Sequence, residues 1–191
     1  MDLNLNGKVA VVIASSQGLG KAVATELVKE GAYVMLASRN AAKLELVSKE
    51  LQAMGPGKAS FHATDITKPE EIKELIEDTV RTFGGIDILV NNAGGPPTGK
   101  FEDFSDESWQ NSFELNLLSY IRIIREALPH LKVNGGRIVN MASISVKTPL
   151  PNLILSNTFR TGVVGLSKTL AEEFAPYGIL VNVVAPGLIS T

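Results

Sequence analysis

The chain has no cysteine. That excludes disulfides, thiol catalysis and cysteine-ligated metals. Its only two histidines, His62 and His130, lie far apart, one ending an apolar run and the other following a proline. Neither a metal-binding spacing nor a Ser-His-Asp order emerges, so both are expected to be structural or solvated and no metal is expected. An excess of charge is missing too: 18 Lys+Arg against 20 Asp+Glu leave a net charge of −2. No basic cluster with interleaved aromatics occurs, so neither nucleic acid nor an anionic membrane is the expected partner. The start, MDLNLNGKVAVVIASSQG, has no basic n-region, and its apolar run is far shorter than a bilayer requires. The expected location is the cytoplasm.

What is present is an ordinary globular composition. The 191 residues are 45% hydrophobic and 20% charged, which fits one domain over 1–191 with a sizeable core. Strand and helix patterns alternate. KVAVVIA (8–14), YVMLAS (33–38), ASFHAT (59–64), IDILVNN (86–92), GRIVNMA (136–142) and GILVNVVA (178–185) read as six strands. Their continuous apolar character is that of strands buried on both faces. Between them lie five helical patterns. The first follows GLG, with Leu19, Val23 and Leu27 as its stripe. The second covers 40–55, with Asn40 as N-cap and Leu44, Val47, Leu51 and Met54 apolar. The third starts at a Thr67–Glu70 capping box with Pro69 in its first turn. A long helix covers 106–131, where Trp109, Phe113 and Leu117 read as a core stripe, and a last one runs through 156–174. Strict alternation argues an α/β fold of the Rossmann type, a doubly wound parallel sheet. Such sheets bind ligands outside the carboxyl ends of their strands.

The strand ends therefore carry the chemical reading. After the first strand, ASSQGLG brings Ser15 and Ser16 ahead of Gly18, Leu19 and Gly20, where a helix opens; glycines admit a pyrophosphate and the helix N-terminus favours it. A tight strand-to-helix turn would look the same. After the second come Ser38 and Arg39, with no carboxylate where a ribose 2′-OH partner would stand. Arginine suits a 2′-phosphate, so NADP is preferred and NAD is the alternative. A solvated loop arginine is the competing explanation. Asp65 follows the third strand, as an adenine partner or a turn former. NNAGGPP, Ser143 with Ser145, and APGLIST follow the last three strands.

In this order and spacing, ASSQGLG, TDIT, NNAGG, FELNLL, GRIVNMASIS and EEFAPYGILVNVVAPGLIST resemble the short-chain dehydrogenase/reductase family, classical type, over essentially the whole chain. Within it the chain looks closest to 3-oxoacyl-acyl-carrier-protein reductase-like members. The resemblance implies that Ser15, Ser16, Gly18, Leu19 and Gly20 hold the cofactor pyrophosphate, Ser38 and Arg39 the 2′-phosphate, and Asp65 and Ile66 the adenine. Asn91, Asn92, Ala93 and Gly94 would line the adenosine ribose and shape the central sheet. Asn116 matches the asparagine that anchors a proton-relay water, and Ser143 the serine that polarises the substrate carbonyl. Pro186, Gly187, Ile189 and Thr191 match the segment beside the nicotinamide. Substrates would be small carbonyls or alcohols, and the protein partner a second copy, as homodimer or homotetramer through the helices 106–131 and 156–174.

Three departures stand out. Ala14 replaces the first glycine of the family's TGxxxGxG string. The Tyr-x-x-x-Lys pair is Ser156 and Arg160 here, in unbroken register with the flanking TGVVGLSKTLAEEFAPYG. Family chains also continue past the PGLIST segment into a lid and a last strand, so the sequence is expected to be shortened or to hold only the ordered part of its chain. A serine hydroxyl is far less acidic than a phenol; Arg160 can hold the nicotinamide ribose hydroxyls of the cofactor and supply positive potential, but an arginine keeps its proton near neutrality. Two expectations follow: an NADPH-dependent carbonyl reductase with a modified relay through Ser156, Arg160 and Asn116, or a nucleotide binder with little turnover.

Overall fold

The computed structural model describes residues 3–187 and 189. In chain order the elements are β1 (Val9–Ile13), α1 (Gly18–Lys29), β2 (Tyr33–Ser38), α2 (Ala41–Gln52), β3 (Lys58–Ala63), α3 (Pro69–Phe83), β4 (Ile88–Asn91), α4 (Asp106–Phe113), α5 (Ser119–Asn134), β5 (Arg137–Met141), α6 (Ile154–Phe174) and β6 (Leu180–Val184). Every strand pairs in parallel, in the order β3-β2-β1-β4-β5-β6. The chain winds outward from β1 to β3, then returns to β4 on the other side of β1. That reversal opens a crevice at the carboxyl ends of β1 and β4.

Side chains alternate across the pleat, and both faces are covered. Val11, Ile13, Met35, Leu89 and Ile138 point to one face, where they meet Ile72, Leu75 and Ile76 of α3, Tyr120, Ile123 and Ile124 of α5 and Val163 of α6. Ala10, Val12, Val34, Leu36 and Val90 point to the other, against Ala24 and Val28 of α1 and Leu44, Val47 and Leu51 of α2. Burial on both sides is why β1, β2 and β4 carry no polar alternation. The edge strands β3 and β6, also expected to be buried on both faces, are partly exposed because each has a neighbour on one side only.

Several local expectations change. In α1 the residues wholly inside are Gly20, Ala24 and Val28, while Leu19, Val23 and Leu27 flank them half-buried. The helix lies so close to the first turn that a Cβ on Gly20 would stand 2.3 Å from the Ala14 carbonyl oxygen, so small residues must face the sheet. Met54 is 41% exposed, two residues past the end of α2. Asn40 does cap that helix, its Oδ1 accepting from the Lys43 N–H at 3.0 Å. The Thr67–Glu70 capping box does not form. Asp65 Oδ1 takes both the Thr67 N–H at 3.0 Å and its hydroxyl at 2.8 Å, and Lys68 is the N-cap of α3.

The helix expected over 106–131 is α4 and α5 joined by a π turn, Glu114–Leu118. Such turns insert a residue into the helical count and commonly accompany functional sites. Trp109 and Phe113 are not core residues. They form a half-buried aromatic strip with Phe159 of α6, at centroid distances of 5.8 and 6.0 Å, which Phe101 extends at 6.2 Å. Leu117 packs on Gly162, where a Cβ would approach it to 2.9 Å.

Candidate functional site

A cavity of about 1460 Å³ follows the carboxyl ends of the sheet. Of the residues singled out from sequence, Ser16, Gly18, Leu19, Ser38, Arg39, Asp65, Ile66, Asn92, Ala93, Gly94, Gly187 and Ile189 line it. Thr191 lies outside the described residues. Ser15 sits beneath the lining: its hydroxyl accepts from the Ala37 N–H at 3.0 Å and so ties β1 to β2. Gly20 is buried in the root of α1.

The turn after β1 keeps its shape despite the alanine. Ala14 has φ +51°, in the left-handed region that glycine enters freely and alanine does not. The chain thus adopts the glycine geometry at a cost of about 1–2 kcal/mol. Gly18 follows at φ +58°.

One end of the cleft is cationic. Arg39, Lys43 and Lys68 line it around the end of β2, and the buried Ser38 Oγ among them has no hydrogen-bond partner. Burial pushes the Asp65 carboxyl up, but the two bonds from Thr67 and the charges of Arg39 and Lys68 outweigh it, holding its pKa below the usual aspartate value. Sequence reading found Arg39 and missed both lysines. Their signals were the first turn behind the Asn40 cap and the position ahead of Pro69.

At the middle of the sheet a buried polar chain fixes the strand ends. Asn91 Nδ2 donates to Asn140 Oδ1 at 2.8 Å, Asn140 Nδ2 to Ser167 Oγ at 2.8 Å, and Ser167 Oγ to the Val163 carbonyl at 2.7 Å. Asn116, inside the π turn and wholly buried, donates to the Gly94 carbonyl at 2.8 Å, leaving its Oδ1 without a partner.

Ser143, like Asn116, Ser156 and Arg160, does not line the cavity; it is partly exposed, and its Oγ accepts from the Ser145 N–H at 3.2 Å and caps the turn Ile144–Val146. Backbone bonds hold this segment against the last strand: Ala142 N–H to Val184 O at 2.7 Å and Ile144 N–H to Pro186 O at 2.8 Å. Ser143 is thereby fixed beside the 184–187 segment.

Ser156 and Arg160 share the inward face of α6, 7% and 6% exposed. Among the described residues the Ser156 hydroxyl has no hydrogen-bond partner. Arg160 is engaged. Its Nη1 donates to the Met141 carbonyl at 2.8 Å and to the Tyr120 hydroxyl at 3.5 Å, and its Nη2 to the Ala93 carbonyl at 3.0 Å. The Tyr120 hydroxyl itself donates to Met141 O at 2.9 Å. Burial pushes the Tyr120 phenol up, and the guanidinium beside it opposes only part of that rise. Arg160 thus clamps the end of β5 to the loop after β4. Among the described residues it forms no ion pair. Tyr120 comes from α5, and helix spacing alone gives no sign that it meets Arg160.

Comparison with known proteins agrees with the fold. The short chain dehydrogenase family model matches residues 8–191. The D-beta-hydroxybutyrate dehydrogenase of Rhizobium meliloti (strain 1021) is 38% identical over 186 residues, which are 96% of this chain and 72% of that protein. The structure of L-sorbose reductase from Gluconobacter frateurii, complexed with NADPH and L-sorbose, superposes with a TM-score of 0.97 at 36% identity, covering 100% of this chain and 73% of that one. An NAD+-bound xylitol dehydrogenase superposes with a TM-score of 0.93 at 28% identity, covering 98% and 73%. The parallel sheet, the cleft at its carboxyl edge and these relatives together make the chain a member of the short-chain dehydrogenase/reductase family of oxidoreductases.

Proposed function

We propose that the protein is an NADPH-dependent oxidoreductase that interconverts a ketone, of simple or 3-oxoacyl type, and its alcohol through a modified proton relay. The observation that carries this reading is the polarity of the cleft. It begins at a cationic corner of Arg39, Lys43 and Lys68 and ends at the 184–187 segment to which Ser143 is tied. The cofactor fits the residues present. Side chains built on Gly94, Gly95 or Gly187 would meet nothing within 4 Å, so these glycines leave the walls open, and the unpartnered Ser38 Oγ stands among the cations. A sugar reductase with NADPH and a polyol dehydrogenase with NAD+ share the fold, which keeps NAD as the alternative.

In this reading Ser16, Gly18 and Leu19 receive the pyrophosphate at the start of α1. Arg39, with Lys43 and Lys68, takes the 2′-phosphate by charge-assisted bonds. When bound, the cofactor supplies the hydride. Ser143 donates a hydrogen bond to the substrate oxygen and withdraws charge from it. Ser156 and Asn116 hold a water that delivers the proton, because neither Ser156 nor Arg160 is itself a competent acid near neutrality.

A second reading has one observation in its favour. The Arg160 donors are spent on the Ala93 and Met141 carbonyls, and no phenol stands at 156. The protein would then bind nucleotide with little turnover. Titration of NADPH beside steady-state NADPH oxidation, with a panel of small ketones and 3-oxoacyl thioesters, tests the pair. Turnover supports the enzyme, and tight binding without turnover supports the binder. The aromatic strip of Trp109, Phe113 and Phe159 is where a second copy would pack, as homodimer or homotetramer.

A further inference from the structure

We propose that Arg160 makes the site discriminate between the two redox states of its cofactor, favouring the reduced form over the oxidised one. The inference rests on the reading above, in which the nicotinamide end of the cleft lies beside Ser143 and the 184–187 segment.

Arg160 is 6% exposed, and its three partners are two backbone carbonyls and a phenol, all neutral. They accept three hydrogen bonds from Nη1 and Nη2 and orient the group, but they leave its unit charge uncompensated. Buried cations are ordinarily paired with an acid. Among the described residues the acids that line the cleft, Asp65 and Glu114, form no ion pair with Arg160: Asp65 accepts from Thr67, and Glu114 accepts from the Gln110 amide at 3.2 Å.

Its place follows from its partners. The Ala93 carbonyl that accepts from Nη2 belongs to a residue lining the cleft, so the guanidinium lies one peptide behind that wall. The Met141 carbonyl that accepts from Nη1 ends β5, immediately before Ala142 and Ser143. The cation therefore sits under the reactive end, away from the cationic corner at Arg39.

The two redox states differ there by one charge. The oxidised ring is a pyridinium with charge +1, and the reduced ring is neutral. A fixed cation repels the first and leaves the second untouched. Unit charges roughly 10 Å apart, at an effective dielectric of about 20, change a binding constant by on the order of tenfold. Contacts to the phosphates, the ribose and the adenine are common to both states and cancel in the ratio. Arg160 is in this sense a specificity-determining residue that touches neither substrate nor ring.

The experiment is a calorimetric titration of the full chain with NADPH and with NADP+, in the parent and in Arg160→Met, Arg160→Gln and Arg160→Lys. The parent is expected to bind NADPH at least tenfold more tightly than NADP+. Arg160→Met and Arg160→Gln should bring the two constants within about threefold of each other, and Arg160→Lys, which keeps the charge, should retain the parental ratio. Arg160→Gln keeps an N–H donor for a carbonyl and serves if Arg160→Met does not fold. A merely structural role would weaken both nucleotides together and leave the ratio unchanged, which overturns the proposal. So does a parent that binds the two forms equally. If neither nucleotide binds, the reading of the cleft itself falls, and the proposal falls with it.

Discussion

Restoring a phenol at 156 tests whether Ser156 and Arg160 stand where the family's catalytic pair would. A positioned general acid is worth roughly 10²–10⁴-fold in rate, or about 3–5.5 kcal/mol of barrier. The new phenol would start from a pKa of about 10. Burial raises it, as it raises that of Tyr120, and only a mobile cation against the ring oxygen brings it down far enough. Arg160 is not mobile: the Met141 and Ala93 carbonyls hold it at 2.8 and 3.0 Å. Ser156→Tyr alone should therefore gain no more than about tenfold in kcat/KM. A lysine carries three donors on a flexible stem and can reach a phenol while keeping one carbonyl. The double variant Ser156→Tyr with Arg160→Lys should gain about 10²-fold or more, far beyond the product of the single effects, because the two groups act as a unit. It should also lose about 1–3 kcal/mol of stability, since one buried carbonyl gives up its partner. The assay is NADPH-dependent reduction of a ketone panel by variants shown to bind NADPH normally. If both bind and neither reduces faster than the parent, 156 and 160 do not occupy the displaced catalytic positions.

Other perturbations follow from single contacts. Arg39→Ala should narrow the preference for NADPH over NADH; equal affinities in the parent would refute the phosphate-binding corner. Ala14→Gly relieves a left-handed alanine and loses some backbone entropy, so thermal unfolding should show a net gain of about 0.5–1 kcal/mol, and a lower Tm would contradict the strain. Gly20→Ala brings a Cβ to 2.3 Å from the Ala14 carbonyl, so it should lower stability by about 2 kcal/mol or more and weaken NADPH binding, whereas an unchanged Tm would show that the turn can yield. Light scattering at micromolar concentration should find more than one copy, and Trp109→Ala with Phe159→Ala should shift the assembly toward monomer; a monomeric parent removes the interface.

Much of this architecture can be read from the chain because the parallel sheet is buried on both faces. The runs at 9–13, 33–38 and 137–141 have no polar alternation to mislead, and the turns after them carry the glycines and asparagines that a ligand cleft requires. The failures share a cause: they are choices between partners that sequence offers at once. Thr67 could cap α3 with Glu70 or bond Asp65, and the carboxylate two residues away takes it. Leu19 and Val23 fit a helical stripe, yet the close approach of α1 puts Gly20, Ala24 and Val28 against the sheet. Arg160 shares a helix face with Ser156, but spacing fixes the face and not the reach of a long side chain. Only three dimensions bring Tyr120, from α5, and two strand-end carbonyls around it.

The π turn between α4 and α5 sets a phase. One residue too many for a regular helix rotates everything after it by about 100° relative to everything before. Ahead of the turn, Trp109 and Phe113 look toward α6 and solvent; behind it, Tyr120, Ile123, Ile124, Ala127 and Leu131 look into the sheet. No side chain encodes that relation; the count of residues from 109 to 120 does. A single deletion among 114–118 would let the helix run regularly and turn either the aromatic strip or the sheet-facing row away from its neighbours. Substitutions there meet the usual local penalties, but a change of length acts like a slipped gear tooth, felt along every later turn. It would carry Asn116 out of reach of Gly94, and Tyr120 away from Arg160, without altering either residue.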